Sequence, residues 1–157
     1  MRHRITAICH KASFSLSTCA WLAIDDVPIE VWLAQHLDEP DLALNGLALM
    51  WLLDEQEDAL ANRRIVPAAD GTSTLVPLLV CSDDMDFDCF ALMTEQVVEG
   101  DTVHWRRFGH SATGGLEVGV STHWYAGSKP VSFALSDFNQ ALSEHKRLIK
   151  ACVGSEG

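Results

Sequence analysis

Residues 74–108 read TLVPLLVCSDDMDFDCFALMTEQVVEGDTVHWRRF. Leu75–Val80 is a short, wholly apolar run, the pattern of a buried strand. CFALMTEQVV (89–98) and TVHWRRF (102–108) form two further strand-like segments. Glu99, Gly100 and Asp101 between them have the composition of a tight hairpin turn. Three strands joined by a loop and a tight turn make an antiparallel sheet. Shorter strand patterns follow in LEVGVSTHWYAG (116–127) and SKPVSFAL (128–135). The stretch therefore predicts a mainly antiparallel sheet over about residues 74–135.

Helical patterns flank this region on both sides. In PIEVWLAQHL (28–37), Ile29, Trp32, Leu33 and Leu37 recur at helical spacing, which predicts an amphipathic helix with Glu30, Gln35 and His36 outward. Asp26 has the chemistry of an N-cap, and Pro28 suits a first turn. Pro40-Asp41 offers another cap and Asn45-Gly46 a turn. A second helix is expected from about 47 to 62, closing near Arg63 and Arg64, with Asp54, Glu55, Glu57 and Asp58 as its solvated face or a break within it. Ser136 caps a last helix, to about residue 150, with Phe138, Ala141, Leu142 and Ile149 inward and Lys146, Arg147 and Lys150 in its last turns. His145 falls on the apolar stripe. Residues 4–11 and 13–24 look extended. The expectation is an α+β fold, one domain over residues 1–152, with 153–157 as a frayed tail.

The chain of 157 residues is 48% hydrophobic, enough for a real core. No apolar run approaches the ~20 residues of a membrane span. MRHRITAICHKASFSLSTCAWLAIDD (1–26) is broken by His10, Lys11 and several hydroxyl residues, and reads as strand rather than signal peptide. Five scattered cysteines suggest reduced thiols, with Cys9, Cys19 and Cys89 as buried core residues. Together these point to a cytoplasmic protein with no membrane partner.

Charge carries the functional signal. The net charge is −11, which disfavours direct nucleic-acid binding. Residues 25–58 hold ten acids and residues 81–101 hold seven, and neither window contains Lys or Arg. A field of one sign steers basic partners, and it also serves solubility. The densest cluster is Asp83, Asp84, Asp86 and Asp88. It lacks the central Gly and terminal Glu of a calcium loop. Cys81 and Cys89 are too far apart for a zinc pair, and His104, His110 and His123 have no ligand spacing. These three histidines lie in the sheet region, where they could face one another. No nucleophile elbow, phosphate loop or Cys-His signature is present. No cofactor and no catalytic residue is therefore expected. Trp124 and Tyr125, ahead of Ala126-Gly127, stand at a strand end as candidate aromatic anchors.

WLAIDDVPIEVWLAQHL, VPLLVCSDDMDFDC and DTVHWRRFG together resemble segments of small bacterial proteins. In size, acidity and lack of catalytic motifs, the chain is similar to immunity proteins of contact-dependent growth inhibition and related polymorphic toxin systems. That resemblance implies a non-enzymatic inhibitor of a cognate toxin domain, a basic nuclease being the expected partner. The contact residues expected from charge are Asp83, Asp84, Asp86 and Asp88, with Asp54, Glu55, Glu57 and Asp58 as a second patch and Trp124 and Tyr125 as anchors. The alternative is a metal-dependent hydrolase or metal-binding regulator built on the Asp83–Asp88 loop.

Overall fold

The hairpin of strands β6 (Ala91–Glu99) and β7 (Thr102–Ser111) lies at the centre of the larger sheet. Gly100 turns it at φ +60, a conformation that glycine reaches without strain. The computed structural model describes residues 2–12, 18–68, 71–88 and 90–155, and gives the backbone alone for 50, 51 and 152–155. Strand β5 (Thr74–Val80) pairs with β6, and the two-residue β4 (Gly46–Leu47) pairs with β5. Pro77 stands where β4 does not reach, next to a register shift, so its missing N–H costs no ladder bond. The far edge of β7 is shared by β8 (Thr122–Trp124) at one end and β9 (Val131–Ala134) at the other. All these pairings are antiparallel, as the hairpin pattern predicts.

A second, three-stranded sheet comes from the N-terminal part: β1 (Ile5–His10), β2 (Cys19–Ile24) and β3 (Val27–Pro28). The extended character of residues 4–11 and 18–24 is as expected. That they form a separate sheet was not indicated by periodicity, and residues 13–17 lie outside the described residues. Asp25 and Asp26 take φ +52 and +67 between Ile24 and Val27, the two-residue turn that joins β2 to β3. Asp26 is therefore a turn residue and not a helix cap. His3 bridges to Phe133 in β9, with the His3 N–H donating to Ser132 at 2.6 Å, and this links the two sheets.

Helix α1 (Ile29–His36) follows β3 and packs on β2. The predicted helix over 47–62 is two helices, α2 (Ala48–Trp51) and α3 (Glu55–Ile65), with the break before Asp54. Pro40–Leu44 is a 3-10 turn without a side-chain cap, and Gly46 enters β4 in place of a turn. Helix α4 (Leu135–Ser155) begins one residue ahead of Ser136 and runs beyond Lys150, so Lys146, Arg147 and Lys150 are not in its last turn. It packs against β1, β2 and β9. Every residue from Ala20 to Ile24 is buried because both faces of β2 are covered.

One hydrophobic core joins these layers, from Trp21, Ile24 and Leu33 through Leu79 and Leu92 to Trp105, Phe133 and Phe138. Phe133 and Phe138 pack edge-on against the Trp105 ring. Cys9 is exposed and Cys19 and Cys81 are half-buried, so the reading of Cys9 as a core cysteine is corrected. Cys89 lies outside the described residues. The core also contains a polar relay. The Trp105 indole N–H donates to Gln96 Oε1 at 2.9 Å, and Gln96 Nε2 donates to the Ile65 carbonyl at 2.9 Å. The relay fixes the C-terminal end of α3 to β6 and β7.

His145 is buried as its position on the apolar stripe predicts. Burial pulls its imidazole down to about 4, opposed by a hydrogen bond to the Ala20 backbone.

Two outcomes follow. Gln96→Leu leaves the Trp105 N–H and the Ile65 carbonyl buried without partners, and the loss of stability in urea unfolding is about 3 kcal/mol. His145 binds its proton more weakly in the folded state than in the unfolded one. The stability it contributes is complete above pH 6.5 and falls as pH drops toward 4, while His145→Gln flattens that part of a pH-stability profile.

Candidate acidic interface

The β5–β6 connection, residues 81–90, carries the four aspartates. Its first turn closes by the Met85 N–H donating to the Cys81 carbonyl at 2.8 Å, with Met85 at φ +53. The Asp88 N–H donates to the Asp86 carboxylate at 3.0 Å, so Asp86 shapes the loop from within. Asp83, Asp84 and Asp88 are exposed and Asp86 is half-buried. Gly114 backs onto the loop so closely that a Cβ there would lie 2.1 Å from Asp88 Oδ1. Phe87, in the middle of the run, is buried in the core.

Phe87 and Met85 bring the two sequence patches together. Asp54 caps α3, its Oδ1 accepting the Gln56 and Glu57 N–H groups at 2.8 and 3.0 Å. One turn on, Glu57 points inward and is buried. Its Oε1 accepts the Phe87 N–H at 2.9 Å. The Leu53 N–H donates to the Met85 carbonyl at 3.2 Å. These two bonds clamp the aspartate loop to the entrance of α3. Burial raises the Glu57 carboxyl above the ordinary range, and the charges of Asp54, Asp86 and Asp88 add to the shift. Burial likewise raises Asp58, while Glu55 is fully outward. The expected contact residue Glu57 is thus an internal support, and Asp54 is held by its capping bonds. Asp83, Asp84, Asp88, Glu55 and the half-buried Asp58 supply the outer charge.

On its other side the loop borders an open cleft of about 720 Å³. The 3-10 turn contributes Glu39, Asp41, Leu42 and Leu44, the loop contributes Cys81, Asp83 and Phe90, and His110 and Tyr125 close the far wall. Tyr125 therefore faces the acidic region as an anchor would. Its phenol is pushed up by burial and by the charge of Glu39. Trp124 is half-buried, with the Arg107 guanidinium 4.0 Å from its ring centroid, and does not line the cleft. His110 and His123 are cross-strand neighbours with rings 5.1 Å apart, whereas His104 bonds Ser132 Oγ at 2.7 Å. Two of the three sheet histidines meet and the third does not. Among the described residues, no group of three or more His, Cys, Asp or Glu is placed to hold a metal ion.

Two features escaped sequence reasoning. Leu53, at 77% exposure, stands beside the clamp as an apolar residue within the acidic face. A lone leucine ahead of a cap carries no periodic signal. Glu39 and Asp41 belong to the first acidic window, and only the pairing of β4 with β5 brings them to the loop. Elsewhere, Glu30 is 1% exposed, which corrects its outward placement. It pairs with His10 Nε2 at 2.8 Å, and burial raises its carboxyl. Glu30 lies one turn before the buried Leu33 and Ala34 on the same helical face, and His10 of β1 meets it there.

No family model matches the chain, and no curated protein or solved structure is significantly similar to it.

Glu57→Gln keeps an acceptor for the Phe87 N–H and removes the buried charge. The folded state holds the Glu57 proton more tightly than the unfolded state, so ionisation costs stability at neutral pH and the cost disappears in acid. The variant is expected to be more stable than wild type at pH 7. It converges with wild type as pH falls through the raised pKa, read by urea unfolding across pH.

Proposed function

We propose that this protein is a cytoplasmic inhibitor of the immunity type, which binds a basic toxin domain through its acidic face. One observation carries the reading: three acidic stretches separated in sequence, 39–41, 54–58 and 83–88, meet around a single clamped loop. Concentrating like charge in one place costs folding energy, and at Glu57 the charges of Asp54, Asp86 and Asp88 add to the upward shift that burial causes. A solubilising surface gains nothing from such concentration, because spread charge serves it as well. A surface that must attract and hold cations does gain. Outer carboxylates speed the encounter, and desolvated apolar groups at Leu53 and Tyr125 slow departure. A nuclease toxin fits because its substrate site must be cationic to bind phosphate. The clamp gives the aspartate loop a fixed shape before binding, which lowers the cost of ordering it. Among the described residues no helix is long and apolar enough to cross a membrane.

The test is whether the product of the neighbouring gene is a basic toxin domain that this protein captures, followed by association kinetics. Replacing Asp83, Asp84 and Asp88 by Asn is expected to slow association about tenfold at low salt, with the difference shrinking at high salt. Leu53→Ser should instead speed dissociation. No complex at micromolar concentration would refute the reading.

A further inference from the structure

We infer that the cleft between the 3-10 turn and the aspartate loop receives an arginine side chain of the protein partner. This rests on the reading that the partner is a basic protein. The cleft is more than an acidic patch. Leu42, Leu44, Phe90 and the Tyr125 ring form an apolar lining, and Leu44 is 53% exposed on its wall. Apolar surface beside carboxylates is what a side chain with an aliphatic stem and a cationic head can cover. Three carboxylates, Glu39, Asp41 and Asp83, edge that lining, and no Lys or Arg lines it.

Several carboxylates elsewhere are paired within the chain. Glu99 pairs with Arg106, Glu95 with Arg107, Asp101 with Arg2 and Glu144 with Arg147. Among the described residues none of the three cleft carboxylates has an ion-pair partner in its own chain. Exposed acids such as Glu55 and Asp84 also have none; the cleft carboxylates differ in edging an apolar lining, and a cation seated on that lining would come from outside the chain.

Its shape is narrowed by the walls. A metal ion needs ligands that converge on one point, and these do not. An ammonium is a strongly hydrated point charge that satisfies one carboxylate well. A guanidinium is a weakly hydrated plane with donors spread along its edges, which suits carboxylates spaced around a rim. Its face stacks on an aromatic ring such as Tyr125, and its aliphatic stem covers leucine surface. The neutral Tyr125 hydroxyl and the His110 imidazole remain available at the far wall.

The probe is the peptide acetyl-Gly-Gly-Arg-Gly-Gly-amide, titrated into the ¹⁵N-labelled full chain and followed by amide shifts. Saturable shifts are expected at Leu44, Asp83, His110 and Tyr125. The lysine peptide should bind about fivefold more weakly, and the citrulline peptide, which keeps the shape without the charge, should give no shifts. Asp41→Asn combined with Asp83→Asn, both at exposed positions, should weaken the arginine peptide about tenfold. Shifts spread over Glu55 and Asp84 as strongly as over the cleft would overturn the assignment, as would equal binding of the lysine peptide. Shifts at the cleft that depend on protein concentration without peptide would overturn it in favour of a second copy of this chain. The same double variant separates the two readings. A toxin domain captured equally by variant and wild type removes the cleft and leaves the inhibitor. A cleft that binds the peptide as described while no toxin domain is captured leaves the arginine site and removes the inhibitor.

Discussion

The hydrogen bond from the Phe87 N–H to the Glu57 carboxylate is the constraint on which the acidic face depends. Phe87 enters the core from the middle of a charged loop, and its backbone must follow it inward. A buried N–H without an acceptor costs a large part of the benefit of burying the ring. The Glu57 carboxylate is that acceptor. Placing a carboxylate there has its own cost, which appears as a raised pKa from burial and from three neighbouring aspartates. The arrangement holds because Phe87 burial, the Asp54 cap and the Leu53–Met85 bond all act in the same place. Each by itself is modest. Together they give the loop one shape.

That shape is transmitted only because α3 is itself fixed. Its first turn is tied down by the Asp54 cap and its last by the relay from Ile65 through Gln96 to Trp105. The relay reaches the hairpin at the centre of the larger sheet. The N-terminal sheet is joined to this frame by a different device. His3 lies edge-on to Trp32, Trp32 stacks on His36 at 4.6 Å, and His36 meets Phe108 in β7. The His3 ring also bonds Asp25, the turn residue of the small sheet, at 2.6 Å. A bond from the Arg4 N–H and the one from His3 hold the Asp25 carboxyl below its usual range. Asp25 is thus a structural carboxylate held by a histidine and a backbone N–H, whereas the carboxylates that edge the cleft have no ion-pair partner among the described residues.

Much of this fold was legible in the residues. An apolar run located β5, strand-like composition and turn chemistry located β6 and β7, and apolar residues at helical spacing located α1 and α4, because those signals arise within a few consecutive residues. The failures share a physical cause. Asp25 and Asp26 have the composition of a cap and of a turn alike, and only the pairing of Ile24 with Val27 decides between them. The second sheet depends on where β1 finds its neighbour. Glu30 reads as solvated from its charge, although it borders the apolar stripe, and only the fold shows that His10 lies above it. For the site, charge counting found both windows but could not tell support from surface. Glu57 and Asp54 have the same composition signal as Glu55 and Asp84, yet Glu57 turns inward to the Phe87 N–H, Asp54 is held at the surface by its capping bonds, and the other two face water.

The distinction matters for how an acidic surface is to be read. Net charge alone speaks to solubility and steering, and many folds carry it without any partner. Here the carboxylates are held together against their own repulsion by bonds that would be unnecessary if the loop were free to relax outward. A loop of four aspartates with no internal tie would spread its charge into water at little cost. This one is anchored by its phenylalanine and bent at Met85 through a left-handed backbone conformation, which a β-carbon disfavours. Strain and like-charge crowding in the same ten residues are local departures from what stability favours. Departures of this kind persist where the resulting geometry is used, and the open cleft and exposed Leu53 beside them are the surfaces on which a cationic partner could use it.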